Sequence, residues 1–194
     1  MDSLGRAGEV VAAALRHRRV IVAVDGVDGV DGAGKTTFAD CLAPMLDRAA
    51  VRASIDDFHN PRPVRYRLGR ESPEGFYRDS FNIQLLIDRL LDPFAAGAAF
   101  RRRGFDHVAD AAVLGADEQA PEDAVLVIDG LFMHTPPLRA RWDLSILLDV
   151  APDVAAERLR LRDGEAPTAR YRGGQELYFA ACEPQSRATL VLGW

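Results

Sequence analysis

The sequence predicts an α/β protein in which a parallel sheet is covered by helices on both faces. Three observations carry this. Apolar runs rich in Val, Ile and Leu alternate with helical stretches along the chain, the pattern of a doubly wound fold. The runs are near-continuous rather than alternating, as expected of strands buried on both faces. The first of them, Val20-Ile21-Val22-Ala23-Val24, is followed by a glycine-rich segment and then a helical pattern. The chain has 194 residues, enough for one domain with a full core, so residues 1–194 are read as a single unit.

The elements follow in order. Residues 4–15 read as an amphipathic helix, with Leu4, Val11 and Leu15 on one side. Strands are expected at 19–25, 51–55, 124–129, 144–150 and 188–192, and helices at 34–48, 80–91, 152–162 and 173–182. Pro44 should kink the first of these helices or end it early. The stretches 57–75, 97–123 and 163–172 look irregular. Long loops in a compact domain are commonly functional, so an acceptor site and a lid belong there.

Residues 29–36, Gly-Val-Asp-Gly-Ala-Gly-Lys-Thr, spell G-x-x-x-x-G-K-T between a strand and a helix. This is a phosphate-binding P-loop in its expected context. Gly29, Gly32, Ala33 and Gly34 form a tight loop whose amides aim inward at phosphate oxygens. The following helix adds the positive end of its dipole. Lys35 is placed for the β/γ-phosphates, the Thr36 hydroxyl for Mg²⁺ and Thr37 for the α-phosphate. The chain is therefore expected to bind a nucleoside triphosphate with Mg²⁺ in a three-layer P-loop NTPase fold with a five-stranded parallel sheet and a lid. Val-Asp-Gly occurs three times in tandem, at 24–26, 27–29 and 30–32. The loop needs only the last two copies, so the first either lengthens the strand's exit or makes a bulge.

Composition narrows the partners. With 48% hydrophobic and 27% charged residues the chain is ordinary for a globular domain, and its net charge of −5 gives no electrostatic support for nucleic-acid binding. No apolar stretch approaches the ~18 residues of a membrane span, and the N-terminus lacks a signal-peptide pattern. The two cysteines, Cys41 and Cys182, form neither a metal spacing nor a disulfide framework. A reducing cytoplasmic setting is the simple expectation.

Beyond the second strand comes Ser54-Ile55-Asp56-Asp57-Phe58-His59. Ligands of open α/β sheets sit outside the carboxyl ends of the strands. Asp56 is thus a candidate to accept a hydroxyl proton in phosphoryl transfer, while the same position also suits the cap of a turn or helix. The strand at 124–129 ends in Asp129-Gly130. Asp129 fits a carboxylate holding a magnesium-bound water, and Asp-Gly also suits a simple turn.

These elements in this order resemble the uridine kinase branch of the P-loop kinases, which includes phosphoribulokinase and pantothenate kinase relatives. They are the P-loop, Asp-Asp-Phe-His at 56–59, Phe-Asp at 105–106, Val-Ile-Asp-Gly at 127–130 and an Arg-rich helix ending Arg162-Asp163. The resemblance implies that Asp56 is the general base toward a ribose 5′-hydroxyl. It implies that His59 stands where a Tyr lies near the nucleoside and that Glu74 replaces an Asp holding the ribose hydroxyls. Phe105 and Asp106 would match a Tyr-Asp pair lining the base pocket, and Asp110 falls near the position of a base-contacting His. The departures fall in the acceptor pocket, so the phosphate machinery is closer to the family than the acceptor pocket is. The resemblance further implies homo-oligomers.

Arg158, Arg160, Arg162, Arg170 and Arg172 bracket a polar segment, as in a lid at about 158–174 that closes over the triphosphate. Arg162, before an Asp, matches the family's lid arginine best and is assigned to catalysis; Arg170 and Arg172 are assigned to substrate binding. Arg62, Arg65, Arg67, Arg70 and the run Arg101–Arg103 would suit an anionic acceptor or ordinary surface charge. His17, His107 and His134 receive no role, Trp142 and Trp194 are read as packing residues, and Gly173-Gly174 is read as a helix start. The expected activity is ATP-dependent phosphorylation of a small-molecule hydroxyl, with uridine or cytidine leading. A kinase for another metabolite (a sugar, a pantothenate-like acid or an anionic acceptor) and a nucleotide-binding switch without an acceptor are the alternatives.

Overall fold

The structure, a computed structural model, describes residues 2–13, 18–26, 33–163 and 169–194. Its centre is a sheet of five parallel strands. In chain order the strands are β1 (Val20–Gly26), β2 (Ala50–Ser54), the short β3 (Phe105–Asp106) and β4 (Ala111–Ala112), β5 (Val125–Asp129), β6 (Leu144–Asp149) and β7 (Leu190–Gly193). The large sheet runs β2-β5-β1-β6-β7, and β3 and β4 form a separate antiparallel pair. The five predicted strands are therefore all present, each within two residues of its expected ends.

The alternation of residues along β1 shows why the runs are apolar throughout. Val20, Val22 and Val24 join Val125, Val127, Ile146 and Leu148 in the core on one face. Ile21 and Ala23 join Leu126 and Ile128 in the core on the other. The first face is covered by α1 (Ser3–Ala13) and α2 (Lys35–Leu42), through Ala7, Val11, Phe38, Ala39 and Leu42. Asp2 caps α1 by accepting the Gly5 amide at 2.8 Å. Pro44 ends α2 early, and Ala43–Met45 tightens into a 3₁₀ turn.

The other face carries more helix than the sequence suggested. Between β2 and β3 lie a 3₁₀ turn (Ile55–Phe58), α3 (Arg62–Arg65), α4 (Pro73–Asp79), α5 (Ile83–Leu86), a π turn (Ile87–Leu91) and α6 (Asp92–Ala95). The irregular stretch expected at 57–75 thus holds short helices too brief to show a 3.6-residue period. Then follow α7 (Pro136–Arg139), α8 (Pro152–Asp163), α9 (Ala169–Cys182) and α10 (Pro184–Arg187).

Gly173 and Gly174 lie inside α9, not at its start. Their role is close approach. A Cβ on Gly174 would stand 2.5 Å from Phe76 Cδ1, and one on Gly173 2.9 Å from Pro73 Cβ. Glycine at both positions lets α9 pack directly on α4.

β1 stays regular through Gly26, which pairs with Leu148. The first Val-Asp-Gly copy therefore lengthens the strand and makes no bulge. The other two copies, with Gly29 and Gly32, lie outside the described residues. No helix among the described residues is long and apolar enough to cross a membrane. Cys41 and Cys182 are free thiols.

Candidate active site

The strand order changes direction around β1, since β5 lies on one side of it and β6 on the other. Such a switch point opens a crevice at the carboxyl ends of the strands, and β1 delivers the P-loop into it. A Cβ on Gly26 would lie 2.6 Å from Ala33 Cβ and 3.3 Å from Lys35 Cγ, so the chain has returned to the end of β1 by Ala33. Gly34 has φ +74°, the left-handed region that glycine enters without strain, and α2 starts immediately after it. Lys35 is buried, and its Nζ has no hydrogen-bond partner among the described residues. A desolvated ammonium without a partner is costly and fits a site made for an anion. Thr37 follows in the first turn of α2.

Thr36 Oγ1 donates to Asp129 Oδ2 at 2.7 Å. Register puts Asp129 between Val24 of β1 and Ser54 of β2, which brings the two predicted metal-site residues together at the sheet's carboxyl edge. A hydroxyl and a carboxylate in contact are a donor set suited to Mg²⁺, a hard cation that takes oxygen ligands. The Asp129-Gly130 pair is not a turn chosen for backbone freedom. A Cβ on Gly130 would lie 2.2 Å from Ile55 Cγ2, so glycine is needed for the turn after β2 to close over the end of β5.

That turn presents Asp56. Ser54 serves as its cap, accepting the Asp56 amide at 3.3 Å, so the capping role falls to Ser54 and not to Asp56. Asp56 is exposed two residues beyond the position level with Asp129. His59 ends the turn with Nδ1 2.8 Å from the Asp56 carbonyl oxygen, so Nδ1 carries the proton and donates. The His59 ring lies against Phe81 and His107, at centroid distances of 4.6 and 4.8 Å.

Phe105 is buried at the start of the small hairpin. Asp106 Oδ1 accepts the amides of Val108 and Ala109 at 2.9 and 3.0 Å. The Ala109 and then the Val108 amide hold its carboxyl below the usual carboxylate range. Asp110 accepts the Arg62 amide at 2.9 Å and pairs with Arg65 at 3.1 Å. Desolvation pushes its carboxyl up, but these donors outweigh it and the net shift is down. Asp110 thus ties the hairpin to α3, and the Gly104 amide donates to the Asp57 carbonyl of the Asp56 turn at 3.0 Å.

The remaining predicted residues lie on other elements. Glu74 lies in the first turn of α4 and pairs with Arg78 at 3.0 Å. Arg170 is buried at the start of α9, donating to the carbonyl of Arg70 at 2.8 Å and lying over the rings of Tyr66 and Phe76. It ties α9 to the loop before α4. Arg172 is exposed one residue past Tyr171 on α9. The side chain of Arg162 lies outside the described residues, as do residues 164–168 of the expected lid. Arg101, Arg102 and Arg103 pair with Asp117, Glu118 and Asp57 at 2.6, 2.8 and 2.7 Å.

A profile described as the phosphoribulokinase / uridine kinase family matches residues 24–173. The chain belongs to this family. Its five-stranded parallel sheet flanked by helices is the P-loop NTPase fold of its structural neighbours. A protein described as a possible uridine kinase from Bacillus stearothermophilus superposes with a TM-score of 0.78 over 97% of this chain and 96% of its own, at 21% identity. One described as a candidate fructose transport system kinase from Silicibacter sp. TM1040 gives 0.73 over 98% and 99%, at 26% identity. In sequence, the chain is 31% identical over 155 residues to a thymidylate kinase of Xanthomonas campestris pv. campestris, an alignment covering 76% of this chain and 63% of that one. The chain thus spans less than two thirds of that relative's length.

Two features of the site escaped sequence reasoning. Asp25, His134, Ser145 and Tyr178 form a buried polar network between β1, the loop after β5, β6 and α9. A lone histidine and a tyrosine more than forty residues away along the chain leave no signal of such a contact. The other is Arg52, which reads as a polar position in a strand and pairs with Asp129 at 2.8 Å.

Proposed function

We propose that this kinase transfers the γ-phosphoryl group of ATP to a hydroxyl of a small molecule, with a pyrimidine nucleoside as the leading acceptor. The observation that carries the reading is the placement of Asp56 on the same sheet edge as Lys35, Thr36 and Asp129. Lys35 would receive the β- and γ-phosphates, as its buried ammonium, without a partner among the described residues, suits. Thr36 would ligate Mg²⁺ and Asp129 would hold it through a bound water; the ion, when bound, neutralises charge on the phosphate oxygens. Asp56 would accept the proton of the acceptor hydroxyl as its oxygen bonds to the γ-phosphorus and ADP departs. His59, Phe105 and Asp106 would shape the acceptor side.

A second reading, an acceptor that already bears a phosphate, is favoured by one cluster. Arg65, Arg70 and Arg170 surround the Tyr66 ring at 5.6, 5.0 and 5.2 Å. Arg65 Nε is buried without a partner among the described residues. Similarity to a thymidylate kinase agrees with a nucleotide acceptor.

ADP formation from Mg-ATP over a panel of nucleosides, nucleoside monophosphates and sugars tests both readings. Turnover with uridine or cytidine that Asp56→Asn abolishes supports the first. Turnover only with monophosphates supports the second. Phosphate release without any acceptor, unaffected by Asp56→Asn, would overturn both in favour of a switch.

A further inference from the structure

We propose that Arg52 is the positioning residue of the magnesium site, holding Asp129 in the orientation that faces Thr36. The inference rests on the donor side of the reading above.

Arg52 lies in the middle of β2, with its side chain only 21% exposed. Desolvating a guanidinium there is unfavourable unless acceptors meet its donors, and four do. Nε donates to Asp40 Oδ1 at 2.9 Å, Nη1 to the carbonyls of Val127 at 2.6 Å and Ala53 at 3.1 Å, and Nη2 to Asp129 Oδ1 at 2.8 Å. Asp40 belongs to α2, the helix that carries Thr36 in its first turn. One guanidinium therefore joins the P-loop helix, β5 and the magnesium carboxylate.

The consequence falls on Asp129, whose side chain is 3% exposed. Its Oδ1 is taken by Arg52 and its Oδ2 by the Thr36 hydroxyl. A carboxylate held at one oxygen by a charge-assisted bond cannot rotate without breaking it, so the other oxygen stays aimed at Thr36. This arrangement leaves Asp129 one oxygen to offer and shares its charge with Arg52. It suits accepting a hydrogen bond from a metal-held water more than ligating the ion directly. Lysine could not replace Arg52, because a single ammonium lacks the planar fork that reaches acceptors on three elements at once.

The test is a magnesium titration of a fluorescent ATP analogue bound to the protein, with binding in EDTA measured separately. Arg52→Met is expected to raise the magnesium midpoint at least about tenfold, the scale seen when an outer partner of a metal ligand is removed. Metal-free binding should stay the same, and Arg52→Lys should behave like Arg52→Met. In an Asp129→Asn background, Arg52→Met should add nothing, because Arg52 acts through that carboxylate.

An unmoved midpoint in folded Arg52→Met would reduce Arg52 to a staple of the sheet, and a lowered midpoint would make it an opponent of the metal. Either result overturns the assignment while leaving the kinase reading intact. Absence of magnesium-dependent binding in the wild-type protein would overturn both. Should Arg52→Met fail to fold, Asp40→Asn removes a charge from an exposed partner (61% exposed) and should move the midpoint in the same direction; no movement there counts against the proposal.

Discussion

The Tyr178 hydroxyl on α9 donates a hydrogen bond to the Asp25 carboxylate at the end of β1. Both side chains are buried. His134 Nδ1 stands 3.2 Å from the same Asp25 oxygen, and His134 Nε2 lies 3.1 Å from Ser145 Oγ. A carboxylate only accepts, so Nδ1 bears the proton. Burial, and then the neighbouring Asp25 carboxylate, push the Tyr178 hydroxyl far above the ordinary phenol range. It therefore remains a donor at any working pH. Tyr178→Phe removes one donor from a buried carboxylate and should cost about 1–3 kcal/mol. Urea unfolding would show this as a lower midpoint with an unchanged slope.

Close packing of α9 on α4 makes a second prediction. Gly174→Ala would place a Cβ 2.5 Å from Phe76 Cδ1 and 3.1 Å from the Pro73 carbonyl oxygen. The overpacking should cost about 1–3 kcal/mol, against a gain of at most about 1 kcal/mol in helix propensity. Gly8→Ala in α1 meets nothing within 4 Å and should instead raise stability. Thermal unfolding of the two variants should move in opposite directions.

Asp56→Asn preserves the shape of the turn after β2, since Ser54 supplies the cap. Loss of a general base typically lowers turnover by about 10²–10⁴-fold. Nucleotide affinity should be unchanged, because Lys35 and Thr36 lie on a different element. Steady-state kinetics beside an ATP-binding titration would separate the two effects, and equal losses in both would remove Asp56 from the chemistry.

The Asp106 turn should depend on pH in one direction. The Ala109 and Val108 amides lower its carboxyl pKa, so the group binds fewer protons folded than unfolded. Its stabilisation is present at neutral pH and above the ordinary carboxylate range, and is lost as pH falls through the lowered value. Side-chain NMR titration should find Asp106 titrating below an exposed aspartate. Asp106→Asn keeps an acceptor for both amides, so it should retain the turn and lose the dependence.

Much of this was legible in the chain itself. Strict spacing at 29–36 after an apolar strand identifies the P-loop, because the chemistry of cradling phosphate tolerates few alternatives. Unbroken apolar runs mark strands covered on both faces, as Val20 and Ile21 show by entering opposite cores. Asp129 and Thr36 read as candidate metal-site residues from their positions after a strand and a P-loop lysine, and the fold brings the two into contact. What only the tertiary structure decided involves partners distant in sequence. Arg52 looks like any strand arginine until β2 is laid beside β5 and its fork meets Asp129. Gly173-Gly174 reads as a helix start, and packing against α4 accounts for its place inside α9. Asp25, the seemingly superfluous aspartate of a repeat, is tied to Tyr178 153 residues away. Local pattern records backbone period and loop chemistry, whereas which polar groups meet depends on strand order and helix contact, and no short window of sequence contains those.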